Sequence, residues 1–207
     1  MAGIINQNTI MKALDWGYEK ALDGGGVFDT AYDLANDFQK KHNSIDDAVK
    51  SLIKWQTTKC ATSGFLSGIG GLITLPVAIP ANISSVVYIQ LRMIAAIAIM
   101  GGYDPKSDQV KSLAYVCLTG GSAAMILKGI GIRLGEKISE KLIQKISTEV
   151  LVKINQKVGF RLLTKFGQTG IVNLGKAIPF LGGIIGGTID ASYTITVGKV
   201  AKKTFIV

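Results

Sequence analysis

The stretch FLSGIGGLITLPVAIPANISSVVYIQLRMIAAIAIMGGYD, residues 65–104, decides the fold of this chain. Apart from the final aspartate, Arg92 is its only charged side chain. Two prolines, Pro76 and Pro80, divide it. Pro80 suits the first turn of a helix, because the N–H that proline lacks has no partner there. The stretch therefore predicts a glycine-rich apolar segment, a turn, and an apolar helix from about Ala81 to Met100.

The chain as a whole is poor in charge for its 207 residues. Charged residues make up 18% of it, against the usual quarter of a soluble domain. Its 25 glycines lie mostly inside apolar runs, where the missing side chain lets helices approach closely. We therefore expect an all-α fold, a compact multi-helix bundle with apolar, glycine-rich helical hairpins.

Helical spacing of apolar residues recurs on both sides of the central stretch. The predicted helices cover Asn8–Leu22, Asp29–Lys41, Ser44–Cys60, Ser107–Leu118, Ser122–Leu134 and Phe180–Lys203. The third begins with a capping box, because Ser44 is followed three residues later by Asp47. The pattern predicts two parts, soluble amphipathic helices over residues 1–43 and a larger helical domain over 44–207.

The net charge of +9 is unevenly distributed. Residues 1–60 hold seven lysines and eight carboxylates, a net charge of −1. Residues 61–207 hold sixteen lysines and arginines and six carboxylates, a net charge of +10. The apolar part of the chain is thus also the basic part, a combination that attracts anionic lipid, with nucleic acid as the competing partner.

A regular segment runs from Leu134 to Phe166, with an apolar residue at every fourth position. Cations follow the same period, interrupted only by Glu149: Arg133, Lys137, Lys141, Lys145, Lys153, Lys157, Arg161 and Lys165. Residues four positions apart differ by about 40° around an α-helix, so a stripe with this period moves gradually around the helix. We therefore predict two shorter helices with a bend near Ser147–Thr148 or Gly159.

The basic stripe has three interpretations. It is the solvated face of a core-packed helix, a surface for anionic lipid headgroups, or a contact for nucleic acid. The cations lack interleaved aromatics, and no nucleic-acid fold signature accompanies them, so we expect no nucleic-acid partner.

The apolar helix raises the question of a membrane span. Twenty residues from Ala81 to Met100 are long enough. A central arginine makes the free energy of membrane insertion less favourable by about 2.5–3.5 kcal/mol, and each leucine or isoleucine makes it more favourable by about 0.3–0.6 kcal/mol. A span, an interfacial helix pair, and a core helix with Arg92 paired to an acid therefore stay open, and residues 178–198 around Asp190 share the ambiguity.

Catalytic and metal-binding motifs are missing from the sequence. His42 is the only histidine, so metal or Ser/Cys–His chemistry would rest on it alone. Gly170–Ala177 approaches a phosphate-binding loop, but Ala177 replaces the hydroxyl that would hold Mg²⁺. We expect no enzyme activity, no cofactor and no metal site.

The N-terminal sequence MAGIINQNTIMKALDWGYEK lacks the basic start and continuous apolar core of a signal peptide. Cys60 and Cys117 lie in helical patterns typical of reduced, packed thiols. We therefore expect a cytoplasmic protein, peripheral to the membrane or partly inserted in it from the cytoplasmic side.

The segments 71–81, 88–98, 102–104 and 178–205 resemble the EcsC protein family over roughly residues 44–206. The residues that carry the resemblance are Pro76, Pro80, Gln90, Arg92, Tyr103, Asp104, Gly182, Gly186 and Asp190. Asp190 departs from the amide expected there. The resemblance implies an all-helical bacterial protein. It also implies a membrane-linked accessory role, because the namesake is encoded with the components of an ABC transporter, and it brings no catalytic residue.

Two functions are therefore expected. The first is a non-enzymatic, membrane-associated helical protein that binds anionic lipid or a membrane protein, or inserts apolar hairpins. It would be an accessory of a transporter or a membrane-permeabilising protein. The alternative is a soluble helical domain that binds a lipid or an apolar peptide in an internal pocket.

Overall fold

A computed structural model describes residues 6–24, 29–61, 81–136, 138–174 and 182–206. Side chains are described over the same ranges except at 60–61, 81–85, 165–174 and 182–190. These ranges contain nine α-helices and no strand, which confirms the all-α prediction. The helices are α1 Gln7–Asp23, α2 Ala31–Lys41, α3 Ile45–Ala61, α4 Ala81–Met100, α5 Asp108–Leu118, α6 Ala123–Lys128, α7 Glu140–Gln144, α8 Thr148–Leu174 and α9 Gly182–Phe205.

Helix α4 lies at the centre of the bundle and has the predicted bounds. Between Val86 and Met100 every side chain is buried except Val87 and Ile99, which are half-buried. Helices α1, α2, α3, α5 and α9 all pack against it. The helix is therefore packed as a core helix of this bundle, and its relation to a membrane stays a prediction. The other half of the apolar stretch, with Pro76 and Pro80, lies outside the described residues.

Polar side chains fix where the helices begin. Thr30 caps α2 in a reciprocal capping box with Asp33, each side chain accepting a hydrogen bond from the other residue's backbone N–H. At the predicted start of α3, Ser44 Oγ accepts from the backbone N–H of Asp47 at 3.1 Å. These bonds satisfy N–H groups that have no partner inside the helix.

The segment after α6 differs from the prediction. A helix was expected to continue to Leu134, but α6 ends at Lys128 and turns follow. Gly131 and Gly135 adopt positive φ values of 78° and 95°, a conformation that breaks a right-handed helix. The next helix begins only at Glu140.

The bend expected in the regular segment is present at one of the two predicted places. Helix α7 stops at Gln144, and α8 starts at Thr148, which confirms the break near Ser147–Thr148. The interruption resets the helical phase, so that Ile143 in α7 and Ile154 in α8 both reach the core. Gly159 lies inside α8 instead of at a bend.

Helices α1 and α5 are joined by a tyrosine network. Tyr18 donates from its hydroxyl to the Pro105 carbonyl at 2.9 Å, and Tyr115 donates to Asp15 Oδ1 at 2.8 Å. Lys111 Nζ lies 2.8 Å from the same carboxylate oxygen. Burial, and then the negative charge nearby, raise the pKa of both tyrosines, which keeps them as donors. The N-terminal helices thus share one hydrophobic cluster with α4, and the division at residues 43 and 44 stays a prediction.

Helix α9 packs closely against α3 and runs antiparallel to it. Lys202 forms an ion pair with Asp46, and Gly198 lies against Ile53. A Cβ added at Gly198 would lie 2.7 Å from Ile53 Cγ1 and 2.9 Å from its Cγ2. The missing side chain therefore permits the close approach of these two helices.

No single helix among the described residues is both long and apolar enough to cross a membrane. The bent pair Asp108–Leu118 and Gly120–Lys128, with 119° between its halves, passes the same length and composition test together.

We expect Gly198→Ala to lower the free energy of unfolding by about 1–3 kcal/mol, as overpacking does. Alanine gains about 1 kcal/mol in helix propensity, but Ile53 is β-branched and its Cγ atoms cannot move away easily. Urea denaturation measures the change. Gly121→Ala is the control, because nothing lies within 4 Å of its added Cβ. If Gly198→Ala is as stable as the wild type, or if Ile53→Ala is equally costly in both backgrounds, the proposed contact is wrong.

Candidate functional site

Gln90 faces α9 from the middle of α4. Its Nε2 donates to Thr194 Oγ1 at 3.0 Å, and both side chains are buried. If the two helices shifted, a buried donor and a buried acceptor would lose their partners, which would cost free energy. Gln90 therefore specifies the register of α4 against α9.

Arg92 points to the other side of α4 and is 2% exposed. Its Nη1 donates to the backbone carbonyl of Asp29 at 3.2 Å, just before the start of α2. This acceptor is a main-chain oxygen and not a carboxylate, so the pairing of Arg92 with an acid stays a prediction. Burial lowers the pKa of Arg92, while Tyr88 and Asp29 act in the opposite direction. The side chain connects α4 to the entry of α2.

Lys59 is the second cation of this region. Its Nζ lies 3.5 Å from the ring centroid of Trp55, a cation–π contact. Burial, and then the positive charge of Arg92, lower the pKa of Lys59. The end of α3 therefore lies near the buried arginine, a proximity that the sequence pattern did not indicate.

Tyr103 and Asp104 follow α4 and shape the turn there. Tyr103 donates from its hydroxyl to the Ile138 carbonyl at 2.6 Å, and its ring packs on Phe205 at 5.4 Å between centroids. Asp104 Oδ1 accepts from the backbone N–H of Lys106 at 2.9 Å. The observed roles of both residues are structural. Gly182, Gly186 and Asp190 lie within α9, and their side-chain environments are outside the described part.

The predicted cationic stripe is divided among three segments. Arg133 lies in the turns before α7 and pairs with Glu136 at 3.5 Å. The cations whose side chains are described are all exposed: Arg133, Lys141, Lys145, Lys153, Lys157 and Arg161. Lys137 and the side chain of Lys165 fall outside the described residues. The eight cations therefore do not form one continuous row on one helix.

Exposed apolar side chains occur in the same part of the chain as these cations, residues 123–164. Among the described residues, six large apolar side chains are exposed, and four of them belong to α6, α7 or α8. These four are Met125 at 66%, Leu142 at 42%, Val152 at 51% and Phe160 at 62% exposure. We call these four and the six exposed cations the basic surface.

Phe160 is the residue of this surface that the sequence analysis missed. It lies outside the four-residue apolar stripe of α8, whose members Ile154, Val158 and Leu162 are buried. The cations were expected to lack interleaved aromatics, and Phe160 is an exception beside Arg161. The sequence feature that could have indicated Phe160 is the presence of an aromatic residue on the polar side of an amphipathic helix.

Lys157 joins the basic surface to the end of α6. A Cβ built at Gly129 would lie 3.4 Å from Lys157 Nζ and 3.3 Å from the Ile126 carbonyl oxygen. The ammonium is therefore a neighbour of the carboxyl end of α6, where the helix dipole favours a cation.

A groove of about 590 Å³ runs between the start of α1 and the start of α8. It is lined by Asn6, Gln7, Asn8, Met11, Asp15, Val152, Asn155 and Gln156. Gln7 closes one side by donating from Nε2 to the Gln156 carbonyl. Asn155 Oδ1 is buried and accepts no hydrogen bond. The groove is open and no cation lines it. Most of its lining residues are polar, but more of its exposed surface is apolar than polar.

Metal ligands and thiols were also considered over the described ranges. No group of three or more His, Cys, Asp or Glu side chains there could hold a metal ion. Cys117 is buried, and burial raises the pKa of its thiol to about 12, so the nucleophilic thiolate is not available at neutral pH.

Comparison with known proteins gives one match. The family model described as the EcsC protein family matches residues 6–207, nearly the whole chain. The match extends to α1 and α2, further than the resemblance noted from the motifs. No curated protein and no solved structure matches.

We expect Arg92→Ala to lower the free energy of unfolding by about 2–4 kcal/mol, because it leaves a cavity and an unpaired carbonyl. Arg92→Met keeps most of the side-chain volume, and it should lower the free energy of unfolding by less than half as much as Arg92→Ala. Urea denaturation of both variants measures the difference. Equal costs for Met and Ala would show that the charge, and not the packing, is required at this position.

Proposed function

This chain belongs to the EcsC protein family, and we propose that it is a non-enzymatic protein that associates with anionic membranes through its basic surface. The membrane-linked accessory role implied by the family resemblance agrees with this proposal. Contact from the cytoplasmic side, with a transporter or another membrane protein as neighbour, is part of the same proposal.

The observation that carries the proposal is the outer side of α8. With 100° per residue, Lys153, Lys157 and Arg161 lie within an arc of about 80°, and Phe160 lies about 20° beyond its edge. All four side chains are exposed. A helix that presents cations beside a protruding aromatic is typical of interfacial membrane contact.

The local charge supports an anionic partner. Residues 123–164 contain eight lysines and arginines and three glutamates, a net charge of +5 out of +9 for the whole chain. Each cation near an anionic surface contributes about 1 kcal/mol, and burying a phenylalanine contributes about 1.5–3 kcal/mol. Three cations and one phenylalanine give roughly 5 kcal/mol. We therefore propose reversible, salt-sensitive binding.

The alternative function is a soluble domain with an internal pocket for a lipid or an apolar peptide. The cavity described between α1 and α8 is an open groove. A ligand pocket, in contrast, buries most of the surface of its ligand. We therefore favour the surface contact, and a co-purifying apolar ligand would support the alternative.

A matched pair of charge reversals tests the proposal. We expect Lys141→Glu/Lys153→Glu/Arg161→Glu to weaken binding to phosphatidylserine vesicles at least about tenfold, because anionic headgroups then meet carboxylates. The control, Lys12→Glu/Lys40→Glu/Lys54→Glu, changes three exposed lysines elsewhere and gives the same net charge of +3. Vesicle flotation over a salt series measures the affinities.

The control variant should keep most of the affinity, and Phe160→Ser should lose part of it without changing the unfolding midpoint. Equal loss in the two triple variants would mean that only net charge matters. Salt-insensitive recovery of the wild type in the lipid-free fraction would contradict membrane binding altogether.

A further inference from the structure

Met125 is the most exposed methionine among those whose side chains the structure describes. It is 66% exposed, whereas Met93 and Met100 are buried and Met11 is half-buried. A dissolved oxidant can reach the thioether sulfur of Met125, while the core protects the buried thioethers. Peroxide, which converts methionine to its sulfoxide, should therefore modify Met125 before the other three.

Met125 is also a neighbour of the cations on the basic surface. A Cβ added at Gly129 would lie 3.6 Å from the Met125 carbonyl oxygen and 3.4 Å from Lys157 Nζ, so these two atoms are close together. Lys128 follows three residues after Met125 in the last turn of α6, about 60° around the helix, and it is exposed. Exposed cations from α6 and α8 thus lie near the exposed thioether.

Lys157 has an exposed apolar neighbour on each of two helices. Met125 is its neighbour on α6, and Phe160, 62% exposed, lies three residues after it on α8. At a membrane interface, cations meet the headgroups while apolar side chains between them enter the acyl boundary. In the membrane contact proposed above, Met125 would therefore be buried together with Phe160.

We infer that Met125 is an oxidation-sensitive part of this membrane contact, and that peroxide weakens the contact by converting its thioether to a sulfoxide. The inference rests on the proposed function and adds a regulation to it. The polar S=O group keeps hydrogen bonds to water, so that the oxidised side chain no longer favours the acyl boundary.

The oxidation itself needs only hydrogen peroxide as co-reactant. A lone pair of the Met125 sulfur attacks one peroxide oxygen, and the O–O bond breaks. The proton on the new S–O group passes to the departing hydroxide, which gives methionine sulfoxide and water. The sulfur loses two electrons and the peroxide gains them.

Flotation with phosphatidylserine vesicles before and after peroxide treatment tests the inference, and peptide mass spectrometry locates the added oxygen. We expect Met125 to be oxidised before Met11, and the affinity of the wild type to fall about fivefold, because burial of a methionine side chain contributes to binding. Treatment with methionine sulfoxide reductases should restore the affinity.

Three variants separate Met125 from other targets of peroxide. Met125→Leu keeps an apolar side chain without a thioether, so it should bind like the untreated wild type and resist peroxide. Met11→Leu is the matched control and should stay peroxide-sensitive. Met125→Gln, a polar side chain of similar length, should bind about as weakly as the oxidised wild type, with an unchanged unfolding midpoint.

No oxidation at Met125, no loss of binding once Met125 is oxidised, or an equal loss in Met125→Leu would each overturn the inference. None of these results would affect the proposed function, which depends on binding by the untreated protein. If the untreated wild type does not bind phosphatidylserine vesicles, the proposed function and this inference are both wrong.

Discussion

The burial of α4 is the constraint on which the rest of the structure depends. Its described residues, from Val86 to Met100, are almost completely covered by five other helices. Burying so much aliphatic surface is the main driving force of the fold. It also places Arg92 inside the protein, where a charge is expensive unless it is hydrogen-bonded. The contact from Arg92 to the Asp29 carbonyl therefore couples the central helix to the way the chain enters α2.

The covering of α4 determines which surfaces stay free. Helices α1, α5 and α9 use their apolar faces to enclose it, and α8 packs on the outside of α1 and α5. Within the described residues α8 packs on α1 and α5 through one side, and its other side carries the exposed Lys153, Lys157, Arg161 and Phe160. The same packing of α8 on α1 forms the open groove between them. The proposed membrane contact and the groove both depend on the peripheral position of α8.

The sequence predicted the parts of the fold that local chemistry determines. The bounds of α4, the serine cap of α3, and the break before Thr148 follow from apolar runs, capping residues and helical phase. The prediction that α6 continues to Leu134 was wrong. Gly131 and Gly135 adopt positive φ values, which composition alone does not reveal. Phe160 was missed because the four-residue period directed attention to the buried stripe. The groove could not be predicted, since it joins Gln7 to Gln156 across 149 residues of sequence.

The central claim is that α4 stays in the protein core while α8 meets the membrane. Hydrogen–deuterium exchange with and without phosphatidylserine vesicles tests it most directly. We expect residues 86–100 to exchange most slowly in both conditions, and vesicles to slow exchange in α8 between Thr148 and Thr164. Faster exchange in α4 on vesicle binding, with no change in α8, would contradict it, because the apolar core would then be opening into the bilayer.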